Sequence, residues 1–212
     1  MARDGIPFVL IPLLLALFLA AAGWSMGLPV LFIAAAFFFF IALFMAYFFR
    51  DPEREITREA GAIVSPADGK VTRVQLLAPE QSDSPTLISI FLSPFDVHIN
   101  RAPIAGVVKN VAYTKGKFLM ATKEESSLLN EQNSLTIEGE QITIACKQIA
   151  GILARRIVCW KKDGDTLARG ERFGLIKFSS RTDIILPANV EVKVKAGMRV
   201  QGGATIIGKV RP

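Results

Sequence analysis

A chain of 212 residues has room for one domain of ordinary size, yet its apolar content of 51% and its mean hydropathy of +0.38 are high for a soluble protein. Its net charge of +6 suits an anionic membrane surface, and it would also suit a nucleic acid. The lysines and arginines are scattered among acidic residues, however, and no basic block is interleaved with aromatic residues. This pattern argues against a nucleic-acid partner.

The apolar excess lies near the amino terminus, in two uncharged segments of 18 and 22 residues, 6–23 and 28–49. As helices they would be about 27 and 33 Å long, enough to cross a hydrocarbon core of roughly 30 Å. The short uncharged turn between them, 24–27, predicts a transmembrane helical hairpin that makes residues 1–54 a membrane anchor. A cleaved signal peptide is the alternative for the first segment, because Arg3 precedes an apolar run that ends in alanines.

Basic residues flank this hairpin at its two ends but are absent from its turn. Arg3 precedes the hairpin, and Arg50, Arg54 and Arg58 follow it. The positive-inside rule therefore places both ends in the cytoplasm. The predicted location is the inner cell membrane, with residues 55–212 forming a domain on its cytoplasmic face.

From residue 60 onward, short β-branched runs alternate with glycine and proline, which is typical of strands joined by tight turns. Residues 123–133 alone could hold a helical turn. Many short strands with almost no helix predict a mainly β domain of the sandwich or barrel type. The predicted strands are 62–64, 70–76, 87–92, 106–113, 134–139, 141–148, 155–160, 173–178, 183–186, 191–194 and 204–210.

Residues 102–116 and 186–203 form a weak internal repeat, since each begins near a proline and continues with valines and spaced glycines. Such half-motifs resemble the hammerhead of biotinyl and lipoyl carrier domains, whose hairpins need glycine where φ is positive. A carrier also needs a modifiable lysine at an exposed hairpin tip, and no such tip is apparent. A membrane-tethered hammerhead-type binding or adaptor module without catalysis therefore remains an alternative function.

The two cysteines, Cys146 and Cys159, lie in apolar strand-like runs without metal-ligand spacing or a nearby histidine. This setting predicts two buried, reduced thiols in a cytosolic domain, and no metal site.

Three positions could carry chemistry: His98, which is the only histidine, Asp68 and the pair Ser179-Ser180. Each also has a structural interpretation: a hydrogen-bonded histidine in an apolar strand, an Asp-Gly turn, and a solvated pair interrupting a strand over 173–186. Together they offer an acid, a histidine and a serine. Because a triad is recognised by geometry, the sequence can only nominate this one.

Five motifs surround these positions: Phe48-Phe49-Arg50-Asp51-Pro52-Glu53-Arg54, Ser65-Pro66-Ala67-Asp68-Gly69, Phe95-Asp96-Val97-His98-Ile99-Asn100-Arg101-Ala102-Pro103, Gly116-Lys117-Phe118 and Gly170-Glu171-Arg172-Phe173-Gly174-Leu175-Ile176-Lys177-Phe178-Ser179-Ser180-Arg181. As a set, these motifs resemble the short bacterial and archaeal form of phosphatidylserine decarboxylase.

The resemblance implies a proenzyme that cuts itself between Ser179 and Ser180, giving a heterodimer of chains 1–179 and 180–212. Ser180 would be the nucleophile, with His98 as its base and Asp68 orienting the imidazole. It would then become a pyruvoyl group that forms a Schiff base with the lipid's amine, without metal or pyridoxal phosphate. The implied reaction converts phosphatidylserine to phosphatidylethanolamine and CO₂ in phospholipid biosynthesis.

Three cations near these motifs, Lys177, Arg101 and Arg181, are candidate ligands of the substrate's phosphate or carboxylate, although they could equally be solvated charges. The sequence departs from the family pattern in two places. Most relatives have Gly-Ser at the cut where this chain has Ser179-Ser180, so a member that has lost self-cleavage is a further alternative. Longer members carry a second histidine where this chain has Phe95, so His98 is expected to serve both cleavage and catalysis.

Overall fold

The computed structural model describes residues 1–121, 125–152, 156–178 and 180–211. The chain divides into two compact units, Met1–Pro52 and Glu53–Pro212. The first unit is helical and the second is built from strands. The prediction of a mainly β protein with two apolar helices in front is therefore confirmed.

The amino-terminal unit contains a 3-10 turn, Arg3–Gly5, and the helices α1, Ile6–Met26, and α2, Pro29–Phe48. Their buried residues include Ala16, Gly23, Ala35 and Ala42, small side chains that allow two apolar helices to approach closely. By length and composition, both helices could cross a membrane. The hairpin is as predicted, but its turn is tighter, because α1 continues through Met26 and ends at Gly27, whose φ of 64° favours glycine.

The second unit contains a short helix and fourteen strands among its described residues. The helix, α3, is Ser126–Leu129. The strands are β1 (Ala62–Val64), β2 (Gly69–Leu76), β3 (Thr86–Leu92), β4 (Ile99–Arg101), β5 (Gly106–Thr114), β6 (Gln132–Glu138), β7 (Thr143–Ala150), β8 (Arg156–Cys159), β9 (Thr166–Leu167), β10 (Arg172–Lys177), β11 (Ser180–Leu186), β12 (Val190–Val192), β13 (Arg199–Val200) and β14 (Ile206–Val210).

The strands form one large and two small sheets, and their named pairings are antiparallel. The large sheet curls into a half-barrel with the order β13-β2-β3-β11-β7-β6-β5-β9. The small sheets have the orders β1-β14-β12 and β4-β10-β8. Side chains of β6 alternate between buried and partly exposed, as expected where one face of a strand covers a core.

The main core holds branched aliphatic side chains from the large sheet and from the sheet β1-β14-β12, including Ile63, Ile90, Leu135, Ile184 and Ile207, and the third sheet adds Phe173 of β10. These aliphatic residues lie in β1, β3, β6, β11 and β14. Burial of so much apolar surface is the main force that holds the small sheets against the large one.

The predicted strands correspond to strands of the structure, but the sequence prediction missed β4, β9 and β13. These three have only two or three residues each, too few to show a periodicity of their own. The single interrupted strand expected over 173–186 is also wrong, because β10 and β11 belong to different sheets. The helical turn expected within 123–133 is confirmed as α3, although residues 123 and 124 lie outside the described residues.

The two cysteines are free, and they differ in burial. Cys146 is buried in β7, as predicted, whereas Cys159 at the end of β8 is only half-buried, so the prediction for Cys159 is wrong. Burial raises the pKa of both thiols above their usual value. Neither sulfur is therefore a ready nucleophile near neutral pH.

Candidate active site

Asn100 of β4 joins three distant parts of the chain. Its Nδ2 donates to the Pro66 carbonyl oxygen at 3.3 Å and to Thr182 Oγ1 at 2.9 Å, and its Oδ1 accepts from Gln148 Nε2 at 2.9 Å. Asn100 is fully buried, so these bonds replace the hydration that its amide loses. The backbone N–H of Arg101 adds a further bond to the Pro66 carbonyl at 2.9 Å.

Each predicted catalytic residue lies two positions from a member of this junction. Asp68 follows Pro66, His98 precedes Asn100, and Ser180 precedes Thr182 on β11. The structure therefore brings together the three segments that carry the nominated acid, histidine and serine.

A row of buried side-chain amides extends the junction into the large sheet. Gln148 of β7, which donates to Asn100, accepts in turn from Asn133 Nδ2 of β6 at 3.0 Å. Sequence analysis overlooked Asn100, Gln148, Asn133 and Thr182. The available signal was a polar side chain inside an apolar strand, since a buried amide must find partners. These bonds fix β4 of a small sheet against β7 and β11 of the large one.

Ser180 is the first residue of β11 and is fully buried, between Leu92 of β3 and Ala150 of β7. Its Oγ has no hydrogen-bond partner among the residues that the structure describes. A buried hydroxyl without a partner costs about 1–3 kcal/mol, so such a group is rarely kept for stability. Ser179, the other half of the predicted cut, lies outside the described residues.

Phe178, two residues before Ser180, has a φ of 64°. No other non-glycine residue has a positive φ in the described part of the chain. For an aromatic residue this left-handed conformation costs on the order of 1–3 kcal/mol. It occurs where the chain leaves β10 in one sheet and enters β11 in another, so backbone strain is stored next to the predicted cut.

His98 is buried directly before β4. Its Nδ1 lies 2.9 Å from the Asp96 carbonyl oxygen, which can only accept, so Nδ1 carries the proton. In the neutral ring the basic lone pair is then on Nε2. The His98 carbonyl also accepts from the Ile176 N–H of β10 at 3.2 Å, which ties the histidine to the strand that leads into the cut.

The loop that carries His98 is itself held by the side chain of Asp96. Asp96 Oδ2 accepts from the backbone N–H and the hydroxyl of Ser93 at 2.8 and 2.7 Å, and its Oδ1 pairs with Arg199. The Asp96 carbonyl is thereby kept in place beside the imidazole, and it is the group that orients Nδ1 in this structure.

Asp68 is largely buried, and its two oxygens have different partners. Oδ2 accepts from Arg54 Nη2 at 2.7 Å, and Oδ1 accepts from the Gly202 N–H at 2.8 Å. Burial raises the pKa of Asp68, and the Gly202 N–H and Arg54 offset only part of this rise. Neither bond goes to the imidazole, so the role of Asp68 in orienting His98 remains a prediction.

The three cations suggested as substrate ligands, Lys177, Arg101 and Arg181, are all buried. Arg101 Nη1 donates to the Gly170 carbonyl at 3.0 Å. Arg181 Nε lies 2.9 Å from Asp183 Oδ1, and its Nη2 donates to Asp183 Oδ2 at 3.0 Å. Such a buried, two-point pair favours an architectural role for Arg181 over phosphate binding.

Arg181 also fixes the loop before α3 beside the strand that begins at Ser180. Its Nη1 donates to the Ala121 carbonyl at 3.0 Å and to Ser126 Oγ at 3.1 Å. The side chain of Asn130, after α3, donates to the Ala150 carbonyl at 2.7 Å, and Ala150 lies opposite Ser180. Both contacts were beyond the reach of sequence analysis.

The Gly116-Lys117-Phe118 motif forms the other side of this loop. A β-carbon at Gly116 would lie 2.4 Å from the carbonyl carbon of Asn130, so only glycine fits there. Lys117 donates to the Leu129 carbonyl at 2.7 Å and accepts from the Glu131 N–H at 3.0 Å through its backbone. The motif thus holds together the loop that Arg181 and Asn130 attach to the site.

No group of three histidine, cysteine, aspartate or glutamate side chains that could hold a metal ion occurs within the described ranges. A buried hydroxyl without a described partner, a strained backbone and a histidine with its lone pair on Nε2 are the components of nucleophilic attack on a peptide bond.

Comparison with known proteins agrees with the family that the sequence motifs resemble. Residues 41–208 match the family described as phosphatidylserine decarboxylase. The phosphatidylserine decarboxylase proenzyme of Geobacter sulfurreducens is 45% identical over 212 residues, covering 98% of this chain and 95% of the relative. That of Solibacter usitatus is 52% identical over 170 residues, covering 80% of each chain, and that of Symbiobacterium thermophilum is 45% identical, covering 99% and 95%.

Proposed function

Because the chain belongs to the phosphatidylserine decarboxylase family, we propose that it converts phosphatidylserine to phosphatidylethanolamine and CO₂ after cutting itself between Ser179 and Ser180. The observation that carries this proposal is the buried Ser180 Oγ, which has no hydrogen-bond partner among the described residues. A group kept at such a cost is explained by chemistry rather than by stability.

The self-cleavage starts with attack of Ser180 Oγ on the carbonyl carbon of Ser179. The C–N bond breaks as a C–O bond forms, so the amide becomes an ester and the Ser180 nitrogen becomes an amine. Elimination across the Cα–Cβ bond of residue 180 then releases Ser179 as a carboxylate that keeps the former Oγ. Addition of water and loss of ammonia leave a ketone at residue 180. The strain at Phe178 favours the self-cleavage as a whole, because the elimination step cuts the chain and frees the backbone that holds Phe178.

His98 is the base in this scheme. With Nδ1 donating to the Asp96 carbonyl, Nε2 can take the proton from Ser180 Oγ. Asp68 stabilises the imidazolium that results, which requires the Asp68 carboxylate to be ionised. His98 also returns a proton to the substrate carbon once CO₂ has left.

The pyruvoyl group fits this position, because it forms from Ser180 itself at the buried start of β11. It supplies a carbonyl that takes up the electrons left behind when the carboxylate departs. The residues that would hold it are those that flank Ser180 in the sheet, Leu92 and Ala150.

The two pieces, 1–179 and 180–212, stay together after the cut. The smaller piece provides β11, which pairs with β3 on one side and β7 on the other. It also provides β14, which pairs with β1. Strands that are bonded on both sides and buried in a common core do not separate without unfolding. The mature protein is therefore a heterodimer of its own pieces.

The function is tested on the purified full-length protein with carboxyl-labelled phosphatidylserine in mixed micelles. Mass spectrometry should find residues 1–179 and 180–212, the second with a ketone in place of its amino group, and labelled CO₂ should be released. Hydroxylamine, which captures a ketone, should inhibit the enzyme even before lipid is added. Cyanoborohydride added together with the lipid should reduce the Schiff base between the lipid and residue 180 and so attach the lipid covalently to that residue.

A single intact chain would contradict the proposal and would point to a member that has lost self-cleavage or to an adaptor without catalysis. Cleaved protein that releases no CO₂ would overturn the substrate assignment alone.

We further propose that α1 and α2 cross the inner membrane, with both ends of the hairpin on the cytoplasmic side, where Arg3, Arg50, Arg54 and Arg58 lie. Protease added to sealed, right-side-out cells should leave residues 53–212 undigested, because that domain is shielded by the membrane. The same protease added after the cells are opened is the control. Digestion of the domain in sealed cells would show that the hairpin has the opposite orientation.

A further inference from the structure

Residues 53–59, here called the strap, connect the helical unit to β1 and lie along the catalytic domain without forming a helix or a strand. Glu53 pairs with Arg172 at 3.0 Å, and Ile56 packs against Gly170. Glu59 pairs with Lys209. The strap is therefore docked at several points along its length.

One strap residue reaches the candidate active site. Arg54 Nη2 lies 2.7 Å from Asp68 Oδ2, and the two side chains are only 12% and 14% exposed. An ion pair at this degree of burial is screened much less than one in water. The other described contacts of the strap reach residues outside the proposed catalytic set, so Arg54 is not needed merely to attach the strap.

The geometry around Asp68 shows what Arg54 contributes. Arg54 binds Oδ2 and the Gly202 N–H binds Oδ1, so the carboxylate cannot rotate without breaking one of these bonds. Each oxygen keeps a second lone pair for a further donor. The carboxylate is thus fixed in orientation, and it can still accept a further hydrogen bond from a donor in the site.

The charges around Asp68 act in opposite directions. Arg54 favours the ionised form of Asp68, whereas burial and the negative charge of Asp96 disfavour it. Asp96 is itself paired with Arg199, which weakens its effect. Arg101 of β4 is tied to the Asp68 segment through its backbone, because its N–H donates to the Pro66 carbonyl. Arg54 is the cation that is bonded directly to the Asp68 carboxylate.

We propose that Arg54 is a positioning residue for self-cleavage, which holds Asp68 ionised and correctly oriented and so makes the reaction depend on docking of the strap. This inference rests on the proposed function of Asp68. It assigns a role in the chemistry to the segment that directly follows the helical unit Met1–Pro52, a role that a merely structural strap would not have.

The test is the rate of self-cleavage of the full-length chain, made by cell-free synthesis in the presence of lipid vesicles, as a function of pH. An opposite charge at hydrogen-bonding distance lowers a carboxyl pKa by about 1–3 units. Arg54→Gln should therefore raise the pKa of Asp68 further and move the acidic limb of the pH–rate profile upward by about one unit or more. At a pH within the acidic limb, Arg54→Gln should cleave itself about tenfold or more slowly than the unchanged protein. The two rates should converge as the pH rises.

Arg54→Lys, which keeps the charge, should move the limb less than Arg54→Gln. Glu53→Gln is the matched control, because it removes a surface pair from the adjacent strap residue and leaves Asp68 untouched. Its profile should coincide with that of the unchanged protein. Equal losses of rate at every pH for Arg54→Gln, or equal shifts for Arg54→Gln and Glu53→Gln, would overturn the inference.

Asp68→Ala separates this inference from the function on which it rests. If Asp68→Ala cleaves normally, the proposed role of Asp68 fails and that of Arg54 fails with it. If Asp68→Ala is impaired while the profile of Arg54→Gln is unchanged, only the role of Arg54 is wrong. Should Arg54→Gln fail to fold, as shown by its thermal unfolding, the comparison of Arg54→Lys with Glu53→Gln decides the question.

Discussion

Replacing Ser180 with alanine is expected to leave the chain whole and to abolish decarboxylation. Alanine has no oxygen to attack the Ser179 carbonyl and cannot give rise to a ketone, so both cleavage and CO₂ release should fall below detection. Electrophoresis and release of labelled CO₂ from phosphatidylserine measure the two effects. Normal processing of Ser180→Ala would show that another residue is the nucleophile.

The matched control is Ser179→Ala, which removes the neighbouring hydroxyl and keeps Ser180. It should still be cleaved, because the carbonyl of residue 179 reacts and its side chain does not. A stability measurement adds an independent check. In a His98→Asn background, where the precursor accumulates, Ser180→Ala should increase the free energy of unfolding by about 1 kcal/mol, since it removes a buried hydroxyl that lacks a described partner.

Replacing His98 is expected to slow self-cleavage by about 10²–10⁴-fold, the usual contribution of a positioned general base. His98→Asn is the sharpest variant, because its Nδ2 can take the place of Nδ1 as donor to the Asp96 carbonyl while no atom takes the place of Nε2. His98→Ala loses both functions. Cleavage rates of newly synthesised chains measure the effect.

If His98→Asn is as slow as His98→Ala, the lost function is that of Nε2, as proposed. If His98→Asn cleaves nearly as fast as the unchanged protein, the histidine only supports the loop and the base is another group. Circular dichroism of the uncleaved chains checks that both variants keep the fold, which the Asp96–Ser93 bonds should maintain.

Features that depend on neighbouring residues were predictable. The helices α1 and α2 follow from two long uncharged runs, and the longer strands follow from β-branched alternation. The short strands β4, β9 and β13 were missed, because two or three residues carry no periodicity. The single strand over 173–186, expected to be interrupted by Ser179-Ser180, is wrong for a related reason: both halves have strand composition, and only their different partner strands place them in separate sheets.

The sequence by itself determined the apolar hairpin, the β-rich domain and the contiguous motifs that nominate Asp68, His98 and Ser180. Composition and short patterns can be recognised in a sequence without knowledge of the fold. Only the tertiary structure decided that Asn100 bonds to Pro66 and Thr182, 34 and 82 positions away. Only the tertiary structure showed that Arg54 pairs with Asp68, that Arg181 pairs with Asp183 and that the backbone is strained at Phe178. The physical reason is that burial, pairing and backbone strain depend on which distant segments pack together, and local periodicity does not encode that choice.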